Sequence, residues 1–418
     1  MASTGLGVRR ERTRTVAALG TAQTLAWASS YYLPAMLAAP MARELGVSVP
    51  TVFAAFSLAL LVSALFGPCS GRSIDRWGGR PVLIATNIVF ALGLTGLGLA
   101  QGPVGLFAAW IVLGIGMGSG LYEAAFSALV RLYGSGSRNA ITGITLIAGF
   151  ASTVGWPLTA EFGWRGACFA WAGLHLFVGL PLNASLPRAR RSGPATADAV
   201  TAQWSANASA SDLRPGADTP AGDRAGVRAT ILLAVVFAIT WFVATSMAAH
   251  LPRLLMAGGA TLGAAVAIGA LVGPAQVAGR LLEFGLLRHV HPLLSARLAT
   301  LMHPIGVLGM AAFGATGAAA FALLHGAGNG ILTIAKGTLP LVLFGPQGYG
   351  ARQGWLMVPA RIAQALAPWL FGLCLDRWGV QALWLSSALG LVAFVALMLL
   401  RQQVAQPVPT PVPVSAGR

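Results

Sequence analysis

Apolar runs of about twenty residues recur along this 418-residue chain, and each is long enough for a helix to cross a bilayer. They cover roughly 16–39, 50–71, 81–101, 104–131, 138–160 and 164–186. After a polar interval they resume at roughly 229–252, 260–282, 292–314, 317–344, 353–375 and 380–400. In hydrocarbon a chain must satisfy its own backbone polar groups, so runs of this length predict helices. The expected fold class is an all-α membrane protein with twelve transmembrane helices in two sets of six. Only 9% of residues are charged, against about a quarter in ordinary soluble domains.

The basic residues set an orientation. Twenty-one of the 27 Lys and Arg fall in segments on the side of the two termini and four fall on the other side. Positive charge collects on cytoplasmic loops, so both termini are expected in the cytoplasm and the protein in the inner membrane. The same distribution accounts for the net charge of +16 without nucleic acid, since no basic and aromatic surface stretch accompanies it. Arg9, Arg10, Arg12 and Arg14 precede the first run as in a secretory signal, but that run is about twice a signal's apolar core and reads as a retained helix. The expected organisation is a basic N-terminus over 1–15, a six-helix unit over 16–186, a disordered linker over 187–228, a second unit over 229–401 and a Pro-rich tail over 402–418. The three cysteines, Cys69, Cys168 and Cys374, have neither disulfide-framework nor metal-ligand spacing.

The two units repeat each other. Gly71-Arg72-Ser73-Ile74-Asp75 corresponds to Gly279-Arg280-Leu281-Leu282-Glu283, with a carboxylate at the same offset from Gly-Arg. Gly116-Met117-Gly118-Ser119-Gly120 corresponds to Gly326-Ala327-Gly328-Asn329-Gly330, which sets Glu123 against Thr333. Repeated halves place a binding site at mid-membrane between them.

Between the second and third runs lies Gly67-Pro68-Cys69-Ser70-Gly71-Arg72-Ser73-Ile74-Asp75-Arg76-Trp77-Gly78-Gly79-Arg80-Pro81, expected as a loop that turns just outside the membrane. Gly71 allows close helix approach. Asp75 can accept from amides at a helix N-terminus or pair with an arginine, while Arg76 and Arg80 stay in the cytoplasm. This order of Gly, Asp-Arg, Gly and Arg resembles the signature loop of the major facilitator superfamily. The resemblance implies two pseudo-symmetric six-helix bundles rocking about a central site, with spans one, four, seven and ten lining the cavity. It also implies a gating role for Gly71, Asp75, Arg76, Gly78 and Arg80, and for Glu283 in the second copy, although Phe284-Gly285 there lacks the following arginine. Gly163-Trp164-Arg165 after Trp156-Pro157-Leu158-Thr159 resembles the monocarboxylate and oxalate–formate branch. The stretch from Ile147 to Thr153 is similar to facilitators linked to arsenite efflux.

Charge inside a bilayer costs several kcal/mol on most scales, so each instance is a candidate for function. Among eleven acidic residues only Glu123 lies well inside a run, and its readings are a proton carrier, a cation site or a structural ion pair with Lys336 or Arg361. Lys336 would hold an anion or neutralise Glu123. Arg361, with Gln364 on its face, would hold an anion bidentately or bond to carbonyls. His325, Asn329, Thr333 and Lys336 share one helical face, and Gln23, Trp27, Ser30 and Pro34, with Tyr31 at the edge, form a second stripe. No phosphate-binding loop, Walker lysine or dinucleotide fingerprint occurs, so ATP coupling and cofactors are not expected, and no nucleophile stands with a base. The expected function is secondary transport of a small solute, an anion among the candidates, with protons as coupling ion through Glu123 and a monomer in lipid. Efflux of a drug or metalloid and a transport-inactive receptor on the same fold are the alternatives.

Overall fold

A computed structural model of the chain describes residues 2–151, 162–188 and 220–400, and every regular element among them is helical. The expected tail, most of the linker, and the stretches quoted above from residue 152 to 161 lie outside the described residues. In the first half run α1 (Ala2–Ser29), α2 (Leu33–Leu45), α3 (Val49–Trp77), α4 (Gly79–Leu99), α5 (Pro103–Gly120), α6 (Tyr122–Tyr133), α7 (Arg138–Ala148), α8 (Gly163–Leu174) and, after one wide turn, α9 (Leu180–Ala184). The second half holds α10 (Pro220–Ala257), α11 (Leu262–Ala270), α12 (Val272–Gly285), α13 (Pro292–Phe313), α14 (Ala318–Phe344), α15 (Tyr349–Trp378) and α16 (Ala382–Leu399). Nine segments among the described residues are long and apolar enough to cross a membrane. Large apolar side chains such as Leu65, Val104, Phe177 and Phe313 stand exposed on them, which suits a lipid-facing surface.

Local chemistry explains the ends. Ser48 accepts from the amide of Thr51 at the start of α3, Thr261 does the same for Ala264 before α11, and Pro292 opens α13. The expected loop after the second apolar run is far shorter than its polarity suggests. Helix α3 continues to Trp77, so Asp75 sits on its last turn, and the reversal is made at Gly78, whose φ of 85° favours glycine. Residues 220–228, expected as linker, already belong to α10. The basic N-terminus is also helical, since arginine is a good helix former, and Arg12 donates to the carbonyl of Gly136 while lying 5.3 Å over the ring of Tyr133.

Glycines set the closest approaches. A methyl on Gly71 would meet the carbonyl oxygen of Gly350 at 1.9 Å, and one on Gly354 would meet Pro68 at 2.6 Å, so α3 and α15 touch backbone to backbone across the two halves. Gly114 and Gly118 face α3 while Gly116 and Gly120 face α4. In the second half Gly326 and Gly330 face α12 and Gly328 faces α13. Equivalent neighbours therefore pair Gly114 with Gly326 and Gly118 with Gly330, two residues away from the match read in the sequence. A pattern of alternate glycines is blind to a shift of two, and the corrected register sets Glu123 against Ala335, next to Lys336.

One polar pin lies within the first half: His175 bonds Ser29 at 2.8 Å and Asn87 at 2.9 Å. At the end remote from Asp75, Glu44 accepts from Arg165 Nε at 2.6 Å and from Trp164 Nε1, and Arg165 also donates to Gly98 O at 2.6 Å. Arg253 and Asp376 make the counterpart in the second half. The bonds from Arg165 and Trp164 hold the Glu44 carboxyl below its ordinary range.

Gly71→Ala is expected to lower the apparent melting temperature, by overpacking worth about 1–3 kcal/mol, whereas Gly96→Ala, whose methyl would meet only Ala109 at 3.8 Å, is expected to be near neutral. Equal melting of the two variants would contradict the helix contact. Because the Glu44 pKa is depressed on folding, its contribution is present above the ordinary carboxylate range and lost as pH falls through the folded value. Glu44→Gln should therefore melt earlier than wild type at neutral pH, with the gap closing in acid. A gap that widens on acidification would remove the tie.

Candidate functional site

The site begins with a broken helix. Between α5 and α6, Leu121 takes an extended conformation (φ −83°, ψ −167°), which interrupts the apolar run read as one span. The break exposes the carbonyl of Gly120, and Gln23 Nε2 on α1 donates to it at 2.6 Å. It also places Glu123 in the first turn of α6, where free amides and the helix dipole favour a carboxylate.

From that position Glu123 reaches the other half of the molecule. Its Oε2 accepts from Arg361 Nη2 at 2.9 Å, and Arg361 Nη1 donates to Gln364 Oε1 at 2.9 Å. The Arg361 side chain is 3% exposed and that of Glu123 16%, so the pair is largely withdrawn from solvent. Trp241 on α10 joins them. Lys336 Nζ lies 4.0 Å from its ring centroid and the Arg361 guanidinium 5.3 Å. Trp27 stands nearly parallel to Trp241 at 6.4 Å, with Tyr122 at 4.7 Å and Tyr31 at 5.2 Å from Trp27. The Tyr31 hydroxyl reaches Thr245 at 3.5 Å.

Charge in this region does not balance. Among the described residues the ion pairs are Arg361–Glu123, Arg138–Glu283, Arg165–Glu44 and Arg253–Asp376, so Lys336 has no carboxylate partner. Arg280, only 5% exposed, bonds through Nη1 to Thr145 O at 3.0 Å and leaves Nε without a partner. It stands close enough to Tyr32, Tyr122 and Lys336 to act on each electrostatically. Arg280 lies near the end of the run 260–282 and counts among the 21 basic residues on the side of the termini. The buried polar atoms left over around the site are the donors Trp27 Nε1, Trp241 Nε1 and Gln364 Nε2 and the acceptors Gln23 Oε1 and Gln353 Oε1, the last on a side chain that donates to Lys336 O. Trp241 was missed because a single aromatic in an apolar run carries no signal. Its place on the first span of the second half, opposite Trp27, was the available clue.

The polar stripe of α14 divides. Lys336 joins the site just described, and Thr333 donates to Asn329 O at 2.8 Å. His325 turns instead into its own half, meeting His303, and with Asn329 lines a separate small cavity.

At the end that carries Asp75 the halves are closed on each other. Asp75 Oδ1 and Oδ2 accept from the amides of Gly350 at 3.0 Å and Ala351 at 2.8 Å, at the N-terminus of α15, the first of the two partners its sequence allowed. Glu283, 3% exposed, accepts from Arg138 Nη2 at 3.0 Å, and Arg138 also donates to the carbonyls of Leu287 and Val290. Both repeated carboxylates thus bridge the halves, one through backbone amides and one through an arginine that sequence reading left among the loop charges. Arg76 lies over Trp77 at 5.5 Å, and Arg80 makes no ion pair among the described residues.

The comparisons agree with this architecture. A family model for the Major Facilitator Superfamily matches residues 19–319. A protein of Thermoproteus tenax, described as an uncharacterized 38 kDa protein in the 23S RNA operon, is 26% identical, the match covering 90% of this chain and 92% of that one. Solved structures with the same fold include the human organic anion transporter TETRAN, at 16% identity and a TM-score of 0.66 over 92% of this chain and 99% of that one. The proton:xylose symporter XylE matches at 14% identity and 0.70, covering 92% and 94%, and FucP in the outward conformation at 14% and 0.69, covering 92% and 97%. The chain belongs to the major facilitator superfamily and is a multi-pass membrane transporter, not an enzyme.

Proposed function

We propose that the protein is a secondary active transporter for a small anion, with protons coupled through Glu123. The observation that carries the reading is the surplus of buried positive charge. Arg361 and Lys336 have the one carboxylate of Glu123 between them, Arg280 stands nearby on Thr145 O, and the unpartnered N–H donors of Trp27, Trp241 and Gln364 lie around them. A buried cation without a counter-charge is costly, and an anionic solute supplies one. The indole faces of Trp27 and Trp241 suit the apolar body of such a solute, which favours a small carboxylate or related oxyanion over a sugar or a lipophilic cation. The organic anion and the proton-coupled sugar solutes named for the similar structures belong to those proteins.

Coupling follows from the same geometry. Glu123 holds Arg361 while ionised; a proton on its carboxyl releases the guanidinium to the solute, and departure of solute returns it. Opening toward the Asp75 end requires the bonds of Asp75 to α15 and of Glu283 to Arg138 to break, so those bonds hold the present closed state. Twelve crossings fit the helices if 103–133 crosses once and a further crossing begins at Arg138, if 349–378 and 382–399 cross once each about the turn at Gly379, and if α1 with the start of α2 crosses once. Both termini then lie on the Asp75 side, which the arginine distribution assigns to the cytoplasm of a cell whose inner membrane holds a monomer.

In a thermal-shift panel of small mono- and dicarboxylates, oxyanions of arsenic, neutral sugars and hydrophobic cations, anions are expected to raise the apparent melting temperature of the purified protein. Lys336→Met should weaken that effect roughly tenfold or more, the loss of one charge-assisted contact. Stabilisation by sugars or cations alone would overturn the reading. For an anion found this way, Glu123→Gln proteoliposomes should lose accumulation driven by a pH gradient while retaining at least part of solute exchange. Accumulation equal to wild type would remove Glu123 from the coupling.

A further inference from the structure

Apart from the central site, the second half holds two buried histidines in direct contact. His303 on α13 and His325 on α14 approach Nδ1 to Nδ1 at 3.0 Å, and His303 Nε2 lies 2.9 Å from the hydroxyl of Ser386 on α16. All three side chains are 7% exposed or less. The proton positions follow from the chain of bonds. Ser386 donates its one proton to Leu383 O at 2.8 Å, so toward His303 it can only accept. His303 therefore carries its proton on Nε2 and presents a bare Nδ1. The contact of 3.0 Å then requires the proton of His325 to be on Nδ1, which leaves His325 Nε2 as a free acceptor. That nitrogen has no hydrogen-bond partner among the described residues. His325 lines a cavity of about 30 Å³, shared with Thr240, Thr300 and Asn329. That exceeds the ~10–15 Å³ one water needs, and the lining supplies polar partners for it.

We propose that His325 Nε2 is a proton-binding site in the second half, separate from Glu123 and supplied through the water of this cavity. Protonation there breaks no existing hydrogen bond. The imidazolium keeps its Nδ1–H on His303, now as a charge-assisted bond, and lies against the Phe321 ring, 6.0 Å between centroids at 20°. The pair takes one proton only, because a second would set two N–H groups against each other at 3.0 Å. No fixed charge opposes it nearby. α11 and α16 contain no ionisable side chain. On α10, His250 is bound to Pro368 O and Arg253 to Asp376. On α13, Arg297 is bound to Leu397 O and Leu400 O. On α12, Arg280 is bound to Thr145 O and Glu283 to Arg138. On α14 itself, Lys336 stands three turns away over Trp241.

The test is ¹⁵N NMR of the full-length protein, labelled at its six histidines and held in lipid nanodiscs without added solute. The other four, His175, His250, His289 and His291, are assigned by replacing each in turn, so neither ring of the pair is altered. At about pH 8.5 the spectrum is expected to show His303 protonated on Nε2 and His325 on Nδ1, and acidification as far as the protein stays folded should convert, of this pair, only His325 to imidazolium, in one step. Ser386→Ala should turn His303 into a mixture of both tautomers, with His325 changing in step. The proposal is overturned if His325 carries its proton on Nε2 at high pH, if it stays neutral across the titration, or if both rings become charged. A tautomer pattern untouched by Ser386→Ala would overturn it as well. None of these readouts depends on transport, so the outcome stands apart from that of the anion reading.

Discussion

The ion pair between Glu123 and Arg361 is the contact on which the two halves most depend, because it joins them where water is scarce. A charge in that position is tolerable only with a partner, and each of these residues comes from a different half. Any motion that separates the halves there must therefore replace the bond with another. Solute, proton or water are the available replacements, which is the link to transport that the proposed coupling uses.

Holding Glu123 in place takes more than its own helix. A continuous helix through Leu121 would carry Glu123 onward without free amides below it. The break gives it the first turn of α6, and the stranded carbonyl is covered by Gln23 from α1. Gln23 was chosen from the sequence as one member of a polar stripe on a cavity wall. Its amide nitrogen serves the backbone of the break, while its free oxygen remains for the site.

Much of the fold was readable because the bilayer imposes one period and one length. Apolar runs located most of the helices, although α1 begins at Ala2 and stops at Ser29 inside the first run and α10 begins nine residues before the seventh, and the Gly71 to Arg80 stretch located the place where α3 and α15 meet. What escaped notice has physical reasons. The break at Leu121 occurs at leucine, a good helix former, so local propensity opposes it and the sequence gives no signal for it. Arg280 lies within a turn or two of the end of α12, where long basic side chains commonly extend to the membrane surface, yet its guanidinium turns inward to Thr145. His303 carries no functional signal in the sequence, since the histidine that completes the pair lies 22 residues further on in the next helix.

The distribution of partners separates fixed charges from working ones. Arg165, Arg253 and Arg138 each end on a carboxylate near a helix terminus, and Arg297 on the carbonyls closing α16, where solvent and backbone share the load. Lys336 and Arg280 have instead a ring face and a single carbonyl, weaker company for a cation so deeply buried. A side chain in that condition is held ready rather than satisfied, and the unused N–H groups of Trp27, Trp241 and Gln364 around it are in the same state. On the anion reading proposed above, these donors are the groups an incoming oxyanion would engage first.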